Sequence, residues 1–191
     1  PWSDSRRAVA CHRGEPAVRV LVAMSGGVDS SVAAALAQRA GHEVEGVTLK
    51  LWGGESDTGC CAVSDTEDAR RAARRLGIPH HVFNYAEEFE AHVVEPYAAA
   101  HAAGTTPNPC IECNRHLKFD ALTRRAAVLG FDVVATGHHA RIVAVDGRRR
   151  LARAADHRKD QSYVLHMLGE ADLERLWFPI GELTKDRVRE L

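Results

Sequence analysis

The chain has 191 residues, 45% of them hydrophobic, and a formal net charge of −1, which suits the core of one α/β domain. The near-zero charge excludes global attraction to nucleic acid, so any RNA contact must rest on local patches. No apolar run is long enough to cross a bilayer, and the expected compartment is the cytoplasm. Residues 1–16 carry Arg6, Arg7 and Arg13 without an apolar core and read as an N-terminal extension rather than a secretory signal, leaving the domain to residues 17–191. Cys11, Cys60, Cys61, Cys110 and Cys113 are an odd set, one single and two close pairs, which points to reduced, reactive or metal-binding thiols rather than a disulfide framework.

Val18 to Met24 is an apolar run that reads as a strand, and Ser31 to Arg39 reads as a helix. Between them lies Ser25-Gly26-Gly27-Val28-Asp29-Ser30-Ser31. A strand turning through two glycines into a helix aims backbone N–H groups and the positive end of the helix dipole at one spot, which suits phosphate. The lysine and longer glycine spacing of a Walker loop are absent. Asp29 is expected instead to offer a carboxylate to Mg²⁺, and Ser25, Ser30 and Ser31 hydroxyls to phosphate oxygens.

Glu43 to Leu51 reads as a second strand, followed by a glycine-rich loop at residues 53–59. Ser64-Asp65-Thr66-Glu67 has capping-box spacing and is expected to start a helix to Leu76. His80 to Asn84 reads as a third strand, Tyr85 to Ala103 as a helix kinked at Pro96, Arg115 to Leu129 as a helix, and Asp132 to Thr136 as a fourth strand. Strands alternating with helices predict a parallel, doubly wound sheet covered on both faces, with ligands beyond the carboxyl ends of the strands. Arg141 to Ala152 reads as a hairpin turning at Asp146-Gly147. Ser162 to Leu168, Ala171 to Trp177 and Thr184 to Leu191 read as helices, the last running into the end of the chain as in a fragment.

Thr106-Pro107-Asn108-Pro109-Cys110-Ile111-Glu112-Cys113-Asn114 carries the second signal. Two prolines hold an extended entry to a helix, and a cysteine near a helix N-terminus has its thiolate stabilised. Cys110 and Cys113 are compatible with a catalytic thiol, a redox pair, half of a metal or iron–sulfur site that Cys60 and Cys61 would complete, or simple packing. Arg148, Arg149, Arg150, Arg153, Arg158 and Lys159 form a basic stretch that suits RNA phosphates or a solvated hairpin rim. Arg70, Arg71, Arg74 and Arg75 read as an exposed helix face paired with Glu67 and Asp68.

Taken in order, Met24 to Ser31, Thr106 to Asn114 with Lys118-Phe119, Ala135-Thr136-Gly137-His138, Lys159-Asp160-Gln161-Ser162-Tyr163 and Phe178-Pro179-Ile180-Gly181 resemble the tRNA-specific 2-thiouridylases. The fold implied is the parallel five-stranded sheet of the adenine nucleotide α-hydrolase-like, or PP-loop, ATP pyrophosphatases. The resemblance implies that Ala23, Met24, Ser25, Gly26, Gly27, Val28, Asp29 and Ser30 hold ATP phosphates, and that Leu49 and Gly137 touch the nucleoside. It implies that Asn108, Pro109 and Cys110 lie against the target uracil, that Cys113 is the first catalytic cysteine with Asp29 beside the phosphates, and that His138, Lys159, Asp160 and Gln161 face tRNA. The family often carries an aspartate where Cys110 stands, which raises a redox or iron–sulfur role for Cys110 and Cys113. Its second cysteine, and the β domains that grip tRNA, are expected beyond this chain. The activity implied is ATP-dependent 2-thiolation of the wobble uridine, with tRNA and a sulfur-donor protein (a desulfurase or relay) as partners. The rivals are an ATP pyrophosphatase amidotransferase of the GMP synthetase type and a nucleotide-binding regulatory fragment without turnover.

Overall fold

A computed structural model describes residues 17–51 and 63–191. The proposed extension, the 53–59 loop, Cys11, Cys60 and Cys61 lie outside the described residues. In chain order the first half runs β1 (Arg19–Ala23), α1 (Val28–Arg39), β2 (Glu43–Lys50), α2 (Val63–Leu76), β3 (His80–Asn84), α3 (Ala86–Phe89) and α4 (Glu95–Ala102). The second half runs α5 (Pro109–Glu112), α6 (Leu122–Val128), β4 (Val133–Thr136), β5 (Ala140–Val145), β6 (Arg148–Arg153), α7 (Glu170–Leu173), β7 (Leu176–Trp177) and α8 (Lys185–Glu190).

Five parallel strands lie in the order β3-β2-β1-β4-β7, as the alternation of apolar strands and helices predicts. The odd and even positions of β1 face different cores because side chains alternate along a strand. Leu21 packs with Leu117, Leu122 and Phe89 on one side, while Val20 and Val22 pack with Ala33, Ala37, Ala73 and Val188 on the other. Alanines on α1 that are fully buried bring its backbone close to the sheet. The crossover through α1 leads from β1 to β2, and the chain later returns from β3 to place β4 on the other side of β1. The register Ala23↔Thr136 therefore sets the segment after β1 beside the segment after β4.

Several elements differ from expectation. The fifth strand is β7, within a stretch whose sequence reads as helix: α7 stops at Leu173, and Val134 N–H donates to the Arg175 carbonyl at 2.9 Å. Two residues are too few to show a strand period, so pairing with β4 decides their state. Helix α2 already includes Val63, so Ser64 sits inside its first turn rather than capping it. The helix around Pro96 widens into a π-helical segment, Glu90–Val94, between α3 and α4. Such a turn relieves the clash of the proline ring with the preceding turn, so no sharp break is needed.

The helix expected from Arg115 starts at Pro109 and runs through a π-helical segment, Cys113–Ala121, into α6. Ser162 to Leu168 shrinks to a 3₁₀ turn, Ser162–Leu165, because the Val164 carbonyl accepts from Asn114 Nδ2 at 3.1 Å instead of continuing a helix. The hairpin is as predicted: β5 and β6 pair antiparallel about Asp146 (φ +51°) and Gly147 (φ +73°), the positive pair a tight turn of this hand requires.

Candidate functional site

The segment after β1 closes on itself. Gly26 has φ +79°, and a Cβ there would lie 2.4 Å from the Asp65 carbonyl oxygen, so only glycine allows α2 to pack against this turn. Gly27, extended, precedes α1 without a side-chain cap. Ser30 Oγ and Ser31 Oγ each donate to the Gly27 carbonyl at 3.0 Å, and Ser30 Oγ accepts from Ser25 N–H at 3.2 Å. The Ser30 and Ser31 hydroxyls thus brace the loop on the Gly27 carbonyl. The first-turn N–H groups of α1 remain the loop's donors.

Opposite stands the segment after β4. A Cβ on Gly137 would fall 2.6 Å from Ser30 N and 2.8 Å from Asp29 C, a close approach that no larger residue permits. Between the two segments opens a cavity of about 220 Å³. Of the residues expected at the nucleotide, Ala23, Met24, Ser25, Gly27, Asp29, Ser30, Leu49 and Gly137 line it, whereas Gly26 and Val28 do not. Val47, Thr136 and Lys118 line it as well, and sequence reasoning assigned them no role. His138 and Gln161, expected to face RNA, line the same cavity and so stand beside the nucleotide loop.

His138 sits among Phe119 and Phe178, ring centroids 5.7 and 6.1 Å away, with Nδ1 2.8 Å from Thr136 Oγ1. Burial, with the nearby Lys118 ammonium, lowers its pKa to about 3. The imidazole is therefore neutral at physiological pH and acts here as a hydrogen-bonding group, not a cation.

Asp29, in the first turn of α1, is the one carboxylate lining this cavity among the described residues. Lys185 Nζ lies 2.6 Å from both of its oxygens, and Nε2 of the buried His139 lies 3.4 Å from Oδ1. Neither partner was legible as a site residue. Lys185 comes from α8, 156 positions away, in a short helix capped by Thr184, whose Oγ1 accepts from Arg187 N–H at 3.3 Å.

The helix that carries the cysteines reaches this cavity through Lys118. Asn108 Oδ1 accepts from Cys110 N–H at 3.0 Å, and Pro109 fills the first helical position, where no N–H is needed. Cys110 is an exposed free thiol, so the Cys110–Cys113 pair is not a disulfide here; Cys113 is half-buried against the core. Hydrogen bonds spanning five residues stack Lys118 nearly above Cys113, whereas α-helical spacing would carry it more than a third of a turn away. Lys118 thus reaches the cavity from the helix that carries Cys113.

Asp160 accepts from Ala154 N–H, Ser162 N–H and Ser162 Oγ at 2.9, 3.3 and 2.8 Å. Burial works to raise its pKa, but these bonds outweigh it and hold the carboxyl below its ordinary value. Lys159 is exposed, whereas Gln161 exchanges bonds with His139: its N–H donates to the His139 carbonyl at 2.8 Å and its Oε1 accepts His139 N–H at 2.9 Å. Arg148, Arg150, Arg153 and Arg158 are exposed around the hairpin. Arg70 and Arg71 pair with Glu67 and Asp68 along α2, as spacing predicts. Among the described residues no helix is long and apolar enough to cross a membrane.

Comparison with known proteins agrees with this architecture. The U34-tRNA thiolase NcsA of Methanococcus maripaludis, solved with its 4Fe–4S cluster, superposes with a TM-score of 0.58 at 18% identity, covering 92% of this chain and 56% of that one. A predicted tRNA methyltransferase subunit from Methanocaldococcus jannaschii superposes at 0.55 and 16%, covering 91% and 73%. At these identities the likeness is one of fold. In sequence, the chain is 61% identical over 177 residues to the tRNA-specific 2-thiouridylase MnmA of Chloroflexus aggregans, 90% of this chain and 49% of that protein. It is 53% identical over 195 residues to the MnmA of a Roseiflexus species, 91% and 52%. The chain spans about half the length of these curated relatives. Residues 18–191 match the model of the tRNA methyl transferase HUP domain, and the chain belongs to that family.

Proposed function

We propose that this chain is the nucleotide-binding and uridine-activating half of a tRNA 2-thiouridylase. The observation that carries this reading is the single cavity shared by the Ser25–Ser30 loop, Gly137, neutral His138 and Lys118, beside the helix of Cys110 and Cys113. ATP phosphates lie against the amino end of α1, where N–H groups and the helix dipole favour anions, and the nucleoside lies toward Leu49 and Gly137. Mg²⁺ fits the donor set: a single carboxylate plus substrate phosphates is the usual environment of this ion, and Asp29 keeps lone pairs beyond those taken by Lys185. When bound it would offset charge on the departing pyrophosphate.

A uracil C2 carbonyl is a poor electrophile. In the proposed reaction its oxygen attacks the α-phosphorus of ATP and pyrophosphate leaves. The outer sulfur of a cysteine persulfide then adds to C2 and AMP departs with the oxygen. The Cys113 thiolate attacks the carrier sulfur, forming a disulfide with it and leaving the sulfur on C2 as 2-thiouridine. The base must be extruded from its loop to reach the cavity. In this reading Asn108, Pro109 and Cys110 meet the base, Cys113 is the catalytic thiol, and exposed Lys159 with the hairpin arginines meets RNA phosphates. The persulfide comes from a sulfur-donor protein, and the setting is the cytoplasm. An iron–sulfur role for Cys110 and Cys113 would need ligands beyond the described residues, which bring no group of three or more His, Cys, Asp or Glu side chains together; Cys60 and Cys61 lie outside them.

Titration calorimetry with α,β-methylene ATP and Mg²⁺ tests the reading. Uptake by the folded chain, weakened by Asp29→Ala, is the expected result; no uptake, or uptake indifferent to Asp29, overturns it. In the full-length enzyme Cys113→Ser is expected to abolish thiolation while leaving nucleotide affinity within about twofold. An amidotransferase, which uses ammonia, would not need that thiol.

A further inference from the structure

Asp156 is 6% exposed, and the reaction proposed above makes no use of it. Its carboxylate joins two separate segments. Oδ1 accepts Arg158 N–H at 3.1 Å within its own loop, and Oδ2 accepts the N–H of Lys185, the first residue of α8, at 3.1 Å. The bond from Lys185 is the largest cause holding this carboxyl below its ordinary value. On the loop side Lys159 N–H donates to the Asp156 carbonyl at 3.0 Å, and Ala155 N–H to the Gly181 carbonyl at 2.9 Å. On the helix side, the same Lys185 carries the ammonium held on Asp29. A carboxylate that accepts from two backbones fixes main chain against main chain, and bonds to an ionised acceptor are among the stronger ones.

We propose that Asp156 is a positioning residue: it registers the loop carrying Lys159 and Gln161 against the amino end of α8, so that Lys185 is held at Asp29 and the phosphate loop. This rests on the nucleotide reading given above. It ties the segment assigned to RNA to the segment assigned to phosphates through one side chain.

A double-mutant cycle tests it, with α,β-methylene ATP and Mg²⁺ as the probe. Asp156→Asn keeps the shape and one acceptor oxygen but loses the second acceptor and the charge. It is expected to weaken nucleotide affinity about tenfold when Lys185 is present, and less than about twofold in a Lys185→Met background. Equal losses in both backgrounds overturn the proposal, as does unchanged affinity in either single variant. If the unmutated chain takes up no nucleotide, the underlying reading falls and this one with it. Should Asp156→Asn fail to fold, hydrogen exchange on the unmutated chain decides: Arg158 and Lys185 amides exchanging through one shared opening support it, and separate openings overturn it.

Discussion

The phosphate loop and the cysteine helix border the same cavity but are built on opposite principles. Around Ser25–Ser30 the backbone itself is the device: Gly26 admits α2, Gly137 admits α1, and serine hydroxyls close the turn on Gly27. From Asn108 to Ala121 the device is a helix that carries side chains, set by one cap, one proline and a π-helical stretch. The first region admits no added volume at Gly26 or Gly137, whereas the second combines buried Asn114, Leu117 and Phe119 with an exposed Cys110 that no packing constrains. Steric sites therefore fail by losing their shape, and side-chain sites fail by losing their chemistry.

The strongest way to break that contrast is Gly137→Ala. The added methyl meets backbone atoms of Asp29 and Ser30, not a flexible side chain. The expected outcome is destabilisation of about 1–3 kcal/mol in denaturant melts, with nucleotide uptake lost in calorimetry. Lys185→Met comes next, because it leaves Asp29 uncompensated beside bound phosphates; affinity for the nucleotide is expected to fall roughly ten- to a hundredfold. On the cysteine side, Asn108→Ala removes a cap and is expected to cost about 1 kcal/mol, seen as a lower Tm, while nucleotide affinity stays unchanged. A loss of affinity there would show that the two regions are not separable.

The smallest effect is a pH dependence. Asp160 has a depressed folded pKa, so its stabilisation is present above the ordinary value of 3.8 and is lost as pH falls through the folded one. The Tm gap between the unmutated chain and Asp160→Asn is expected to be full near pH 6 and to shrink below about pH 4. A gap that stayed constant to pH 3 would mean that the loop is held by shape and not by the carboxylate.

The parallel sheet, the glycine turn and the hairpin at Asp146-Gly147 were all legible in local pattern. Alternation, period and positive-φ residues are properties of a few neighbouring positions, and nothing distant overrides them here. The cavity's nucleotide-loop side was legible for the same reason. Four features escaped: β7, the π-helical stretches, the Asp29 clamp formed by Lys185 and His139, and the inward placement of His138 and Gln161.

Each of these depends on what packs or pairs against the segment. β7 exists because Val134 and Ala135 offer an edge, and the 3₁₀ turn exists because Asn114 takes the Val164 carbonyl. Lys118 enters the cavity from a π-helical segment. Local residue order determined that this chain makes a phosphate-binding bend on a parallel α/β sheet, because backbone sterics and hydrophobic period act over short range. Tertiary structure alone decided which cations and which imidazole face that bend, because electrostatic contact acts through space between residues that the chain keeps as many as 156 positions apart.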